Sequence, residues 1–134
     1  MYKETYSKYR AKSTEYNGVR YHSRFEAHKA WELDQRLKAG EIKDWEGQFK
    51  VEMIPYNKFG EPCPRLKVTH KIDFRVHELD GSYTLLEAKG CETTDWRRRV
   101  KWLEEIWLPE HPDHVYQVVK DRGNKGRGLR WGKR

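Results

Sequence analysis

Asp73, Glu87 and Lys89 are the residues whose types and spacing could do chemistry in this chain. The stretch LLEAKG, residues 85–90, has the composition of a strand, yet it carries an acid and a base two residues apart. Such a pair shares one strand face. As surface groups the two would add only a cross-strand ion pair of about 0.2–1 kcal/mol. Asp73, in KIDF, lies on the preceding strand, across a turn at Asp80-Gly81. A two-residue loop would set Asp73 opposite Ala88 and leave Glu87 and Lys89 on the far face. A three-residue loop, Leu79-Asp80-Gly81 with Gly81 left-handed, would set Asp73 opposite Glu87 and Phe74 opposite Leu86. Keeping the apolar residues together favours the second register. There, two carboxylates could hold a hard divalent cation, and a lysine could orient a water or stabilise charge on a phosphate. A salt-bridged polar face accounts for the same three residues equally well.

Glu26 tips that balance. It precedes Ala30 by four residues and Leu33 by seven, so it shares their helix face. An acid on an apolar face costs free energy unless it is paired or coordinated. Ser23-x-x-Glu26 is also a capping box, in which the glutamate satisfies the backbone at the helix start. Taken with a carboxylate pair elsewhere, capping becomes the weaker explanation.

The elements that must position these residues follow from pattern. Asn17-Gly18 marks a turn between Tyr16 and Val19-Arg20-Tyr21, either a hairpin or a turn leading into the domain. A helix is expected from Arg24 to about Ala39, capped by Ser23 and stopped by Gly40, with Ala30, Leu33 and Leu37 on one face. QFKVEMIPY alternates as a strand with Phe49, Val51 and Met53 on one side, and NKFGEPCPR is a loop. LKVTHKIDFRVHEL reads as a long strand with Leu66, Val68, Ile72, Phe74 and Val76 on one face, paired with SYTLLEAKG as a hairpin. TTDWRRRVKWLEEIWLPE reads as a second helix with Trp96, Val100, Leu103 and Trp107 on one face and Pro109 past its end. HVYQVVK is the last strand. The order is helix, three strands, helix, strand: an α/β fold with a mixed central sheet flanked by helices. His70, three residues before Asp73, points to the other face of its strand and reads as packing. His111-Pro-Asp-His114 reads as a loop rather than a metal site.

At 134 residues, 36% hydrophobic and 13% aromatic, the chain is most simply one domain with a real core. No apolar run approaches the roughly 18 residues of a membrane span, and no signal-peptide pattern opens the chain. Cys63 and Cys91 show no metal spacing and no disulfide framework, which suits an intracellular protein. The net charge of +7 is concentrated at the ends. Residues 120–134 hold seven basic residues against Asp121, and residues 1–20 hold five against two acidic ones. Between them, residues 21–119 carry 16 basic and 18 acidic residues. The chain thus divides into a basic, Tyr-rich N-terminal arm (1–20), a folded domain (21–119) and a basic Gly/Arg/Lys tail (120–134). Localised basic charge interleaved with glycine and aromatic residues favours a nucleic-acid partner over a tail that only aids solubility. Lys120, Arg122, Lys125, Arg127 and Arg130 are the candidate phosphate contacts in the tail. Arg97, Arg98, Arg99 and Lys101 of the second helix are either further contacts or a solvated face.

Glu26 on a first helix, Asp73 in KIDF and Glu87-x-Lys89 in EAKG resemble the PD-(D/E)XK nuclease superfamily. More closely, the run SRFEAHKAWEL … GEIKDWEGQFKVEMIP … KIDFRV … DGSYTLLEAKG is similar to its small phage-encoded members, related to Holliday junction resolvases, over roughly residues 17–107. Ile72 departs from the proline of the motif's name, at a position where the superfamily tolerates apolar residues. The resemblance implies a restriction-endonuclease-like fold and phosphodiester hydrolysis with Mg²⁺, or Mn²⁺ in its place. Asp73, Glu87 and the Ala88 carbonyl would be metal ligands, Lys89 would sit by the attacking water, and Glu26 would complete the site, with room for a second ion. Gln48 matches a polar position typical of the family, or is a surface strand residue. The implied activity is structure-selective cleavage of branched DNA in recombination, as a homodimeric Holliday junction resolvase in a phage host's cytoplasm. A nickase or flap-type nuclease of the same fold, or a non-catalytic basic DNA-binding protein, are the alternatives.

Overall fold

Asn17 and Gly18 both take left-handed backbone, φ 53° and 82°. They close β2 (Lys12–Tyr16) onto β3 (Val19–Tyr21) as a tight hairpin with Tyr16 opposite Val19. β1 (Lys3–Tyr6) adds along β2, which makes a three-stranded antiparallel sheet. The computed structural model describes residues 3–6, 12–89 and 92–120. Arg122, Lys125, Arg127 and Arg130, expected to contact DNA, lie outside the described residues. The expected element order opened with a helix and omitted this N-terminal sheet. Its strands are short and largely polar, so alternation could not reveal them. Thr14 and Tyr21 are nonetheless buried, and Asp34 ties the sheet down by accepting from Tyr16 Oη at 2.5 Å and from Trp45 Nε1 at 2.9 Å.

Helix α1 (Arg24–Lys38) starts where Ser23 Oγ accepts from the Glu26 amide at 3.0 Å, and it stops before Gly40 at φ 77°. The central sheet follows, with β4 (Asp44–Met53), β5 (Val68–His77), β6 (Tyr83–Lys89) and β7 (His114–Lys120) in that spatial order. The first three strands are antiparallel and β7 runs parallel to β6, so the sheet is mixed. The β6–β7 crossover carries helix α2 (Thr94–Trp102). The second helix was expected to run unbroken to Pro109. It instead widens into a π-helical turn over Leu103–Trp107 and ends in a 3₁₀ turn, Leu108–Glu110. Pro109 has no N–H to continue α-helical bonding. The change of pitch lets Trp102, Leu103, Trp107 and Leu108 all meet one apolar cluster.

Leu85 and Leu86 are neighbours on β6 and so point to opposite sheet faces. Leu86 joins Phe74 and Val76 against Ala27, Ala30 and Leu33 of α1. Leu85 joins Val51, Met53 and Ile72 against Leu103 on the other side. The sheet is therefore sandwiched between α1 and the α2 segment. Ile72 and Phe74 were expected on one face, together with Leu66, Val68 and Val76. They lie in different clusters, and Leu66 is 63% exposed in a 3₁₀ turn, Pro64–Leu66. The alternation is interrupted at Asp73 on β5 and, opposite it on β4, at Gln48, which has φ 56°. Gly47 still pairs with Phe74 and Phe49 with Ile72, but side chains on the two sides of the break face opposite ways. Trp45 and Phe49 divide between the two clusters in the same manner.

Candidate functional site

The hairpin between β5 and β6 settles the register. Glu78 N donates to Ser82 O at 2.9 Å, which leaves Leu79, Asp80 and Gly81 as a three-residue loop with Gly81 at φ 92°. Phe74 pairs with Leu86, and the same register sets Asp73 opposite Glu87. The two-residue alternative does not occur. Asp73 sits at the break in alternation, and its Oδ2 accepts from the Ala88 amide at 2.8 Å.

Glu26, 4% exposed, reaches this point from the first turn of α1. Its Oε1 accepts from the His22 amide at 3.2 Å, so the capping role is real for one oxygen. Its Oε2 is buried and accepts from no N–H or permanent O–H. Burial, the Glu26 charge and a hydrogen bond to Glu26 push the Asp73 carboxyl up to about 8, with the Glu87 charge adding to this. Burial likewise raises Glu26. Near neutrality Asp73 thus keeps a proton that it donates toward Glu26, as expected of two buried carboxyls in contact.

Glu87 is held differently. Its Oε1 accepts from Tyr116 Oη at 2.5 Å, His70 Nε2 at 3.1 Å and Trp96 Nε1 at 3.3 Å. Burial pushes its pKa up, but these donors outweigh burial and hold Glu87 below the usual carboxylate range. Burial and the Glu87 carboxylate together raise the Tyr116 hydroxyl. The site therefore pairs one firmly ionised carboxylate with a protonated couple.

His70, Tyr116 and Trp96 are the residues that sequence reasoning missed. His70 was expected on the face away from the site. It is 1% exposed and bonded to Glu87, because the alternation of β5 is interrupted between Ile72 and Phe74, which puts His70 on the Glu87 side of the sheet. No local signal marks that interruption. Tyr116 and Trp96 come from β7 and α2, and only their docking on the sheet brings them to Glu87.

Lys89 extends along β6 with Nζ 5.3 Å from the centroid of the Trp96 ring. Lys120 pairs with Lys89 across β6 and β7, and its Nζ lies 2.5 Å from Glu92 Oε2. Arg97 also faces Glu92, at 3.6 Å, while Arg98 and Lys101 are exposed on α2. His111 stacks on Trp107 at 3.7 Å between centroids, and the buried His114 bonds Asp113 at 2.9 Å, so both serve packing. Gln48 is exposed, and the β4–β5 register sets it opposite Asp73. A non-glycine residue in left-handed backbone costs roughly 1–3 kcal/mol. Gln48→Gly is therefore expected to raise stability by about 1 kcal/mol and Gln48→Val to lower it by more, read from denaturant midpoints. The opposite ranking would mean that the conformation is unstrained.

The donor set suits a hard divalent cation: oxygen atoms only, and two buried carboxyls that share a proton for want of positive charge. Among the described residues no three His, Cys, Asp or Glu side chains already form a cation site, since Glu87 Oε1 is turned to its three donors. Asp73, Glu26 and the second oxygen of Glu87 are the groups that would hold the ion. Ala88 meets Asp73 through its amide.

Residues 6–121 match a protein family described as one of unknown function, DUF1064. No curated protein and no solved structure matches the chain.

Proposed function

We propose that this chain, which belongs to that family of unknown function, is a Mg²⁺-dependent DNA endonuclease with a restriction-endonuclease-like fold, of the PD-(D/E)XK kind. One observation carries the reading. Three carboxylates from three elements, Glu26 of α1, Asp73 of β5 and Glu87 of β6, influence one another's protonation at the point where the sheet changes face. A sheet gains no stability from burying like charges, so the arrangement suits a bound cation. When bound, the cation supplies Lewis-acid charge at a phosphate and makes water a better nucleophile. The chain's residues do the remainder. Tyr116, His70 and Trp96 keep Glu87 ionised and oriented. The Ala88 amide fixes Asp73. Lys89, extended over Trp96, supplies positive charge for the phosphate or orients the attacking water.

The substrate reading rests on charge. Arg98 and Lys101, exposed on α2, and the basic composition of residues 120–134 suit phosphate backbones. Among the described residues no helix is long and apolar enough to cross a membrane. Branched DNA, with a four-way junction as the leading substrate, and a homodimer that makes paired cuts complete the proposal, with a phage host's cytoplasm as its setting. These last points rest on the sequence resemblance. A second reading is favoured by the saturation of Glu87 Oε1: a basic DNA-binding protein that keeps the fold without catalysis.

The test is cleavage of a labelled four-way junction and a matched duplex with Mg²⁺ or with EDTA. Paired, metal-dependent cuts in the junction alone are expected. Cuts in other branched or linear DNA would retain the nuclease and discard the resolvase. Tight binding without cleavage would establish the second reading.

A further inference from the structure

The connection from β4 to β5 takes fourteen residues, 54–67, where an antiparallel pair needs about two to five. It is nevertheless closely tied. Asn57 Oδ1 accepts from the amides of Phe59 (2.9 Å) and Glu61 (3.0 Å), and Asn57 Nδ2 donates to Glu61 Oε1 at 3.0 Å. Asn57 N donates to Glu61 O and Cys63 N to Pro55 O, at 2.9 and 2.8 Å. Gly60, at φ 79°, allows the reversal. What this frame presents is apolar and aromatic: Tyr56 is 69% exposed and Phe59 75%. Lys58 Nζ lies 5.3 Å from the Phe59 ring centroid. Around them, residues 50–71 carry the exposed bases Lys50, Lys58, Arg65, Lys67 and Lys71 against two acids, Glu52 and Glu61. Both acids are engaged, Glu52 of β4 with Lys67 at 3.5 Å and Glu61 with Asn57.

Scattered exposed apolar residues need no explanation, but a pre-ordered tip that offers two rings amid basic charge does. The charge disfavours a second copy of the chain, whose loop would be equally basic. It favours a polyanion, and a polyanion with flat apolar surfaces to cover the rings is a nucleic acid with unpaired bases. We infer that the β4–β5 loop is a base-stacking element, in which Tyr56 and Phe59 take up unpaired bases of DNA while the flanking lysines hold the backbone. From the proposed function this takes only that the partner is DNA. Asp73 lies five residues along β5 from the loop's base, about 17 Å at strand spacing. A single DNA strand could therefore reach both. The loop would select DNA that already offers unpaired bases, as a branch point does, because a paired duplex must first be opened.

The test is equilibrium binding of fluorescein-labelled oligothymidylate and of a matched duplex, with EDTA present so that nothing is cut. Tyr56→Ser/Phe59→Ser removes the rings from exposed positions, and circular dichroism confirms the fold. Affinity for oligothymidylate is expected to fall between about fivefold and a hundredfold. Duplex affinity should change by less than about twofold, and the salt slope should not change, since no charge is lost. Asn57→Ala, which keeps both rings but loosens the tip, should weaken oligothymidylate binding by a smaller factor. Equal affinities for wild type and double variant, or equal losses on both DNAs, would overturn the inference. So would loss of self-association with DNA binding intact, which would make the loop a contact between copies. Cleavage is scored separately in Mg²⁺. A wild type that binds through the loop but cuts nothing defeats the nuclease reading alone, and one that cuts while the double variant binds normally defeats this inference alone.

Discussion

Asp73→Asn is expected to lower Mg²⁺-dependent cleavage by on the order of a thousandfold or more, with DNA binding unchanged. The amide keeps the shape of the side chain and forgoes only its charge, so positioning of DNA by the basic residues is undisturbed. Without the cation Asp73 is already uncharged near neutrality, so in EDTA the amide should leave DNA binding unchanged. Glu87→Gln should show the same loss, although the amide will also disturb the three donors that converge on Oε1. Turnover and equilibrium binding, measured on one labelled branched substrate, check both. Cleavage by Asp73→Asn at the wild-type rate would place the chemistry elsewhere in the molecule. Parallel loss of binding and cleavage would mean that these carboxylates support the fold rather than the reaction.

The second large effect is on stability against pH. Without divalent cations, the folded protein holds the Asp73 proton up to about pH 8, whereas the unfolded chain releases it near 3.8. Between those values the native state binds more protons than the unfolded state, so stability falls as pH rises. The contribution is fully present below the unfolded value and is gone once pH passes the folded value, a loss on the order of several kcal/mol. Glu26, raised as well, acts in the same direction. Glu87, held low, acts oppositely: its contribution is present above the unfolded value and is lost on acidification. Thermal melts in EDTA should therefore decline between about pH 4 and 8, and Asp73→Asn should flatten the decline. Mg²⁺ should raise the melting temperature most at the alkaline end, where it no longer competes with a proton. An EDTA melting profile that is flat across this range in wild type would contradict the raised pKa of Asp73. A Mg²⁺ shift of equal size in Asp73→Asn would remove the site from these carboxylates.

Local rules accounted for much of this molecule. Ser23, Gly40 and the apolar spacing of Ala30 and Leu33 delimit α1 because caps and periodicity are properties of neighbouring residues. Gly81 and the wish to keep Phe74 beside Leu86 selected the three-residue loop, and with it the opposition of Asp73 and Glu87. The second helix was legible in position but not in pitch. Its π turn answers to how Trp102, Leu103 and Trp107 pack on the sheet rather than to their spacing.

What the sequence determined by itself, then, is helix α1, the strands of the central sheet, the hairpin register and the acids that meet in it, all consequences of interactions between residues close in the chain or across one turn. Tertiary structure alone decided the rest. The strand faces reverse at Asp73 and at Gln48 opposite it, so His70 meets Glu87 and Ile72 parts from Phe74, and no pattern of period two can encode its own interruption. Tyr116 and Trp96 reach Glu87 across long stretches of chain, and Glu26 meets Asp73 only because α1 docks on one face of the sheet. The charge state of the site belongs to this second class. It is set by burial and by which carboxylate finds donors, and neither is a property of a residue taken alone.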